Sequence, residues 1–305
     1  MSAPASLEAS PQVAKPPLFE ARTGMASLAP HFDGFLLDQW GVLHDGVRPY
    51  AGAVEALAAL RSAGKAILIL SNSGRRGPEN EILLSRIGFS RSLYDAVISA
   101  GDDARDALLD RNDPFHAALG PRCFLFCREG EDHLVDGLGL TLVSDIDQAD
   151  FLFALSMDPP RQSIAGWKKI LDRAAERRLP MICGNPDIVR VSPDGILLEA
   201  PGAIARAYEE LGGAVRYHGK PHGRIYDTCL RLLDLPRDRV AAIGDSLHHD
   251  VAGAAGCGLD SILVAGGIHR GELAWGPQGV DPESCSLLFA RTGFAPQYVV
   301  PSFIW

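Results

Sequence analysis

Three short apolar runs stop abruptly in small polar or acidic residues. The run 35–37 ends at Asp38, the run 66–70 leads into Ser71, Asn72 and Ser73, and the run 240–243 leads into Gly244, Asp245 and Ser246. Continuous apolar runs of this length fit strands covered on both faces. Between them, apolar residues recur at helical spacing. Val54, Leu57 and Leu60 precede Gly64, and Pro78 opens a pattern that ends near Gly88. Ile204, Ala207, Tyr208 and Leu211 precede Gly212 and Gly213, and Ile225, Cys229, Leu232 and Leu233 follow Pro221. Proline in a first turn and glycine past a last turn mark helix limits. Strands alternating with helices predict an α/β fold, a doubly wound and mainly parallel sheet. Ligands of such sheets bind beyond the carboxyl ends of the strands, so the three endings are expected to face one crevice.

A second α/β block fills residues 120–200. "CFLFC", "DFLFALS" and "PMICGNPD" read as strands, and Ile164, Trp167, Ile170, Leu171 and Ala174 form a helical stripe, with Trp167 taken as core. The block lies between the Ser71 and Asp245 strands, so it reads as an inserted cap domain. The expected organisation is a flexible extension over 1–22, core over 23–119, cap over 120–200, and core again over 201–305. The apolar tail "APQYVVPSFIW" is expected to dock on the core or on a partner subunit.

A net charge of -9 disfavours nucleic acid as the main partner, because a phosphate backbone needs a basic footprint. A small phosphorylated ligand needs only a local positive site. The six cysteines are scattered without a CxxC pair and read as buried, reduced thiols, Cys123 and Cys127 sharing one strand face. No apolar run is long enough to span a membrane, and the N-terminus lacks the basic head and apolar centre of a signal peptide. The expected location is cytoplasmic.

Asp38 and Asp245 would repel each other at neighbouring strand ends unless a cation sat between them. Oxygen ligands with room for water and phosphate suit Mg²⁺, and Asp250 in "GDSLHHD" can complete the set. The "SNSG" turn, with Ser71, Asn72 and Ser73, offers hydroxyl and backbone donors for phosphate oxygens. Lys220 in "HGKP" can neutralise phosphoryl charge. A nucleophilic carboxylate, a metal, a lysine and hydroxyl donors together suit phosphoryl transfer through an aspartyl-phosphate.

In "LLDQWGVL", "LSNS", "GKP" and "IGDSLHHDVAGAAGCGLDSILV", taken in order, the chain resembles the haloacid dehalogenase superfamily, in its NagD-like branch. "CGNPD" and "PGAIARAYEELGG" resemble the end of the cap and the return to the core in that branch. The resemblance covers about 30–270. It implies a Mg²⁺-dependent phosphatase acting on a sugar phosphate or nucleoside monophosphate. Asp38 would be nucleophile and metal ligand, and the residue at Trp40 would lend its backbone carbonyl to the metal. Ser71 and Asn72 would hold the phosphoryl group, and Lys220 would pair with Asp38 and the phosphate. Asp245 would bind the metal with Asp250 close behind. The loop at Asn185 and Asp187 would read the substrate. Homodimers through the cap are compatible with this picture.

Trp40 departs from the family pattern, which usually places there an Asp that protonates the leaving group and activates water. Indole is only a hydrogen-bond donor. Loss of a general acid or base typically costs about 10²- to 10⁴-fold in rate, or roughly 3 to 5.5 kcal/mol of barrier. A good leaving group would tolerate the loss. His44, Asp45, His248 and His249 are nearby side chains that could replace the acid, or belong to solvated loops. Arg75 and Arg76 either meet an anionic substrate or form a solvated turn. Two other readings remain: a binding protein that kept the phosphate site without turnover, and a metal-independent dehalogenase, against which the acidic "GDSLHHD" loop argues.

Overall fold

The computed structural model describes residues 19–192, 194–277 and 279–305. Most of the expected extension over 1–22 lies outside the described residues. Its end, Glu20–Ala21 (β1), is not free: it pairs with Tyr298–Val300 (β16) at the edge of a sheet.

That sheet has seven strands, all parallel. They are β1, Gly34–Leu37 (β2), Ala66–Ser71 (β3), Ala96–Ser99 (β4), Val240–Gly244 (β12), Asp260–Val264 (β13) and β16, in the order β1-β16-β13-β12-β2-β3-β4. The alternation of side chains across a strand explains why its apolar runs are unbroken. Phe35 and Leu37 join Ile67, Ile69 and Ile243 on one face, under helices Ala53–Ser62 (α1) and Gly77–Arg86 (α2). Leu36 joins Leu68, Leu70 and Ala242 on the other, under Gly223–Leu233 (α7) and Ala252–Gly256 (α8). One expected contact of α7 fails: Leu232 is 58% exposed, and Tyr226 and Leu230 take the buried positions beside Ile225 and Cys229. Helix Pro282–Thr292 (α9) closes the β16 end against Val299, after a short hairpin of Trp275–Gly276 (β14) and Gly279–Val280 (β15).

The second block forms its own parallel sheet in the order β11-β8-β7-β5-β6. Its strands are Arg122–Phe126 (β5), Thr141–Leu142 (β6), Phe151–Ala154 (β7), Met181–Cys183 (β8) and Val215–Tyr217 (β11). An antiparallel hairpin, Val189–Val191 (β9) with Leu197–Glu199 (β10), follows β8. Helices Ile164–Glu176 (α5) and Pro201–Glu210 (α6) cover one face. Ala104 and Leu108 of Ala100–Asp110 (α3) pack on the other, with Cys123, Phe151, Phe153 and Ile182, and the short turn Pro114–Ala117 (α4) leads into β5. The expected limits of 120 and 200 therefore cut through packed elements. The apolar stripe of α6, with Ile204 and Tyr208, belongs to the smaller sheet, and β11 extends that sheet to 217. Trp167 is partly buried there and meets Phe126 edge-on at 5.0 Å.

The C-terminal tail docks on the core. β16 fills the place between β1 and β13, Phe303 is buried in the main cluster, and the Met25 N–H donates to the Ile304 carbonyl at 2.7 Å. Among the described residues no helix is long and apolar enough to cross a membrane. Phe303→Ala is expected to cost about 3 to 5 kcal/mol in urea unfolding, as for other buried aromatic side chains. A loss below about 1 kcal/mol would show that the tail is not part of the cooperative core.

Candidate active site

The carboxyl ends of β2, β3 and β12 deliver Asp38, Ser71 and Asp245 to one crevice, because β2 lies between β12 and β3 in a parallel sheet. The backbone around the acids leaves no room for side chains. A Cβ on Gly41, which has φ +81°, would lie 1.9 Å from Asp245 Oδ2, and one on Gly267 would lie 2.1 Å from it. A Cβ on Gly244 would meet the Asp250 carboxyl at 1.9 Å. After β12 the chain makes a π-helical turn, Leu247–Val251, that carries Asp250 back over the strand end. Asp250 Oδ2 there accepts the Ser246 N–H at 3.1 Å, and Asp245 Oδ2 accepts the Ile268 N–H at 2.7 Å.

Oxygens of Asp38, Asp245 and Asp250 lie within 4.8 Å of one another, and all three residues are buried. Lys220 Nζ donates to Asp38 Oδ1 at 2.6 Å and to Asp250 Oδ1 at 2.7 Å. Three carboxylates against one ammonium leave two negative charges uncompensated. Burial, then the charge of Asp250, pushes the Asp38 carboxyl up to about 7 even with Lys220 opposing. Burial and the charges of Asp38 and Asp250 hold Asp245 well above the usual carboxylate range. Burial alone would lower the Lys220 ammonium, but Asp250 and Asp38 outweigh it and raise it. A compact set of hard oxygen donors with a surplus of two negative charges fits a divalent cation.

The phosphate-loop candidates are partly committed. The Ser71 hydroxyl accepts the Ser73 N–H at 3.2 Å, and the Ser73 hydroxyl accepts the Arg75 N–H at 3.2 Å. Asn72 Oδ1 accepts the Lys220 N–H at 2.7 Å, and its Nδ2 donates to Asp187 Oδ1 at 2.8 Å. The Asn72 side chain therefore joins the lysine loop to the smaller unit. Asn185 acts as a turn former, its Oδ1 accepting the Asp187 N–H at 3.1 Å. Asp187 also faces His249 Nδ1 at 3.2 Å. Burial would raise the Asp187 carboxyl, but His249 and Asn72 outweigh it and hold it low, and the same pairing keeps His249 above its ordinary value.

Three of the four substitute acids lose their case. His44 is fully buried, burial lowers it to about 4, and its Nδ1 accepts the Gly46 N–H at 2.9 Å. Asp45 caps a turn by accepting the Val47 and Arg48 N–H groups at 2.8 and 2.7 Å, which keeps it ionised. His248 is lowered by burial and packs edge-on against Phe294. His249 alone of the four keeps its proton readily. Trp40 is half-buried and meets His44 edge-on at 5.1 Å, and its ring covers Gly46, where a Cβ would lie 2.2 Å from it.

Sequence patterns did not single out Asp103. Its Oδ2 accepts the Gly219 N–H at 3.2 Å and meets His218 Nδ1 at 2.9 Å, steadying the loop that carries Lys220. His218 Nε2 meets His116 Nε2 at 3.1 Å. Only the acidic start of α3 hinted at such a role. Arg75 is not a solvated turn residue: it donates to Glu131 of the smaller unit from Nε at 2.9 Å and Nη2 at 2.6 Å.

A parallel α/β core with an acidic, lysine-braced crevice at its strand ends, beneath a second α/β unit, defines a class of hydrolases. A family profile described as "Haloacid dehalogenase-like hydrolase" matches residues 35–141, and one described as HAD-hydrolase-like matches 217–284. The chain belongs to the haloacid dehalogenase superfamily, in its NagD-like, class IIA branch. It is 28% identical over 303 residues to glycerol-3-phosphate phosphatase of Gallus gallus, covering 93% of each chain. A haloacid dehalogenase-like hydrolase from Brucella suis superposes with a TM-score of 0.79 at 29% identity, over 93% of this chain and 100% of that one. Glycerol phosphate phosphatase from Mycobacterium tuberculosis, crystallised in complex with magnesium, superposes at 0.60 with 25% identity, over 79% and 70%.

The raised carboxyls predict an unusual pH response of the metal-free protein. A carboxyl whose folded pKa exceeds its unfolded value holds more protons folded than unfolded, so its contribution to stability falls as pH rises between the two values. In EDTA, Asp245→Asn is expected to melt higher than the unsubstituted protein, by a margin that widens from pH 4 to pH 8. A margin independent of pH would show that Asp245 carries no unfavourable charge.

Proposed function

We infer that the protein is a Mg²⁺-dependent phosphatase that hydrolyses a small phosphorylated metabolite through an aspartyl-phosphate on Asp38. The observation that carries this reading is Lys220 Nζ held between Asp38 and Asp250, with Asp245 completing the buried carboxylate cluster. The relatives named as glycerol-3-phosphate and sugar phosphatases favour a phosphorylated polyol or sugar, and the relative bound to magnesium favours that ion. Asp38, Asp245 and Asp250, with the backbone carbonyl of Trp40, would hold the cation. Once bound, it would balance the surplus charge and neutralise phosphoryl oxygens.

The chain's own groups supply the remaining work. The Ser71 hydroxyl, the backbone of the Ser71–Ser73 turn and the Lys220 ammonium receive the phosphoryl oxygens. An oxygen of Asp38 attacks phosphorus as the bond to the ester oxygen breaks, and the leaving oxygen takes its proton from solvent water. Water then attacks the acyl phosphate, releasing inorganic phosphate and restoring the carboxylate. The smaller unit sits over this crevice through Asp187, Glu131 and Arg75, and we assign it the role of cap.

Trp40 leaves the first step without the usual acid, so the leaving group governs the rate. Phosphate release in Mg²⁺ is expected to vanish in EDTA and in Asp38→Asn, and to favour acyl and aryl phosphates over alkyl esters. No release from any of these esters, with phosphate still bound in the presence of Mg²⁺, would make the protein a binding protein instead. Trp40→Asp is expected to raise kcat on alkyl phosphates by about 10²-fold or more while changing aryl phosphates little. An equal effect on both ester classes would remove the missing acid as the cause of the leaving-group dependence.

A further inference from the structure

A cavity of about 560 Å³ opens between the two units, with Trp40 and Gly46 on the core side. Its sequence neighbours tie it to the crevice: Trp40 lies two residues after Asp38, and Arg75, also in the lining, lies two after Ser73. The rest of the wall is rich in charge. Arg128, Arg161 and Arg190 face it from the smaller unit.

These guanidiniums are not equally satisfied. Arg75 is committed to Glu131, whose other oxygen also accepts the Ser156 hydroxyl. Arg128 Nε donates to the Met157 carbonyl at 2.9 Å, which leaves its Nη groups with only a 3.8 Å approach to Glu131. Burial and the neighbouring Arg75 and Arg190 draw the Arg128 guanidinium down, and Glu131 only partly opposes them. Arg161 reaches Asp158 at 4.0 Å from the exposed rim. Arg190, half-buried on the β9–β10 hairpin, makes no ion pair among the described residues. The wall also carries Glu129, Glu131 and Asp158, so four arginines face three carboxylates and one positive charge is left over. Gathering guanidiniums in a partly desolvated wall is unfavourable unless an anion joins them, and their planar donors match carboxylate and phosphate oxygens.

We propose that the substrate of this site carries, besides the phosphate that meets Asp38, a second anionic group that Arg190 and Arg128 receive in this cavity. The proposal rests on the phosphatase reading above and narrows it, from any small phosphate ester to a phosphorylated acid or a bisphosphate. Trp40 then lies along the path between the two anionic groups, where an indole face covers the apolar part of the substrate.

The test uses the full chain with Mg²⁺ and chain-matched esters: alkyl phosphates, ω-carboxyalkyl phosphates and alkane bisphosphates. At one or more chain lengths, kcat/KM for an ester with a second anion is expected to exceed that of its alkyl partner by about tenfold or more, as one charged hydrogen-bonded pair allows. Whether the carboxylates or the bisphosphates lead identifies which anion the site takes. Arg190→Gln is expected to bring the ratio close to one. Arg161→Gln, at the exposed rim, gives a smaller fall and keeps the test open if Arg190→Gln does not fold. A ratio near one at every length, or one unaltered in both variants, overturns the proposal. If no ester releases phosphate, the phosphatase reading has failed separately. Calorimetry on the same sets then decides: tighter binding of the doubly anionic ligands, lost in the variants, upholds the second-anion site, and equal binding overturns it.

Discussion

Burying three carboxylates within 4.8 Å of one another is unfavourable, and one ammonium makes it tolerable. Lys220 reaches two of the three, and the loop that presents it is held from several sides. Asn72 receives its backbone N–H, Asp103 receives that of Gly219, and His218 anchors to Asp103 in turn. The glycines at 41, 244 and 267 exist in this setting because the carboxyls press against the backbone itself. Residues from four separate stretches of chain thus share one electrostatic problem. Removing the ammonium would leave Asp38 and Asp250 as uncompensated buried charges, which typically costs about 3 to 5 kcal/mol.

The same bonds join the two units. Asp187, in the loop after β8, binds Asn72 of the Ser71–Ser73 turn and His249 of the acidic turn. Glu131 binds Arg75, and His133 binds Glu79 at 2.7 Å at the start of α2. Any displacement of the 185–187 loop therefore breaks bonds to two of the groups that surround the crevice. Cap position and site geometry are coupled through these polar contacts, beside the apolar packing of α3 residues Ala104 and Leu108 against the smaller sheet.

Much of this was legible in the sequence, for identifiable reasons. β2, β3 and β12 are covered on both faces, so their apolar runs are unbroken and their polar endings stand out. The carboxylate cluster followed from those endings together with the parallel order. Less visible were contacts between stretches with no shared periodicity. Arg75 looked like a turn residue and Asp103 stood out in no pattern, and only packing reveals their partners at 131 and 219. The helical stripe of α6 was read rightly for Ile204 and Tyr208, but Leu211 ends up exposed past the helix, and a stripe does not say which sheet it covers. Leu232 was misplaced because the buried face of α7 runs through Ile225, Tyr226, Cys229 and Leu230, and Leu232 falls at its margin. β16 is three residues long and flanked by prolines, so only its apolar character announced that it would be buried.

The strand order has a further consequence for how the chain matures. β2 pairs with β12 in a register that joins Gly34 to Val240, so the centre of the large sheet waits for about two hundred residues of synthesis. The smaller sheet needs only neighbours between 100 and 217 and can close first. During that interval β2 and β3 present an open, apolar edge, the kind of surface that invites pairing with another chain. The crevice between β2 and β12 is thus completed only after residues 240–250 join the segment 34–71, which until then keeps one strand edge free.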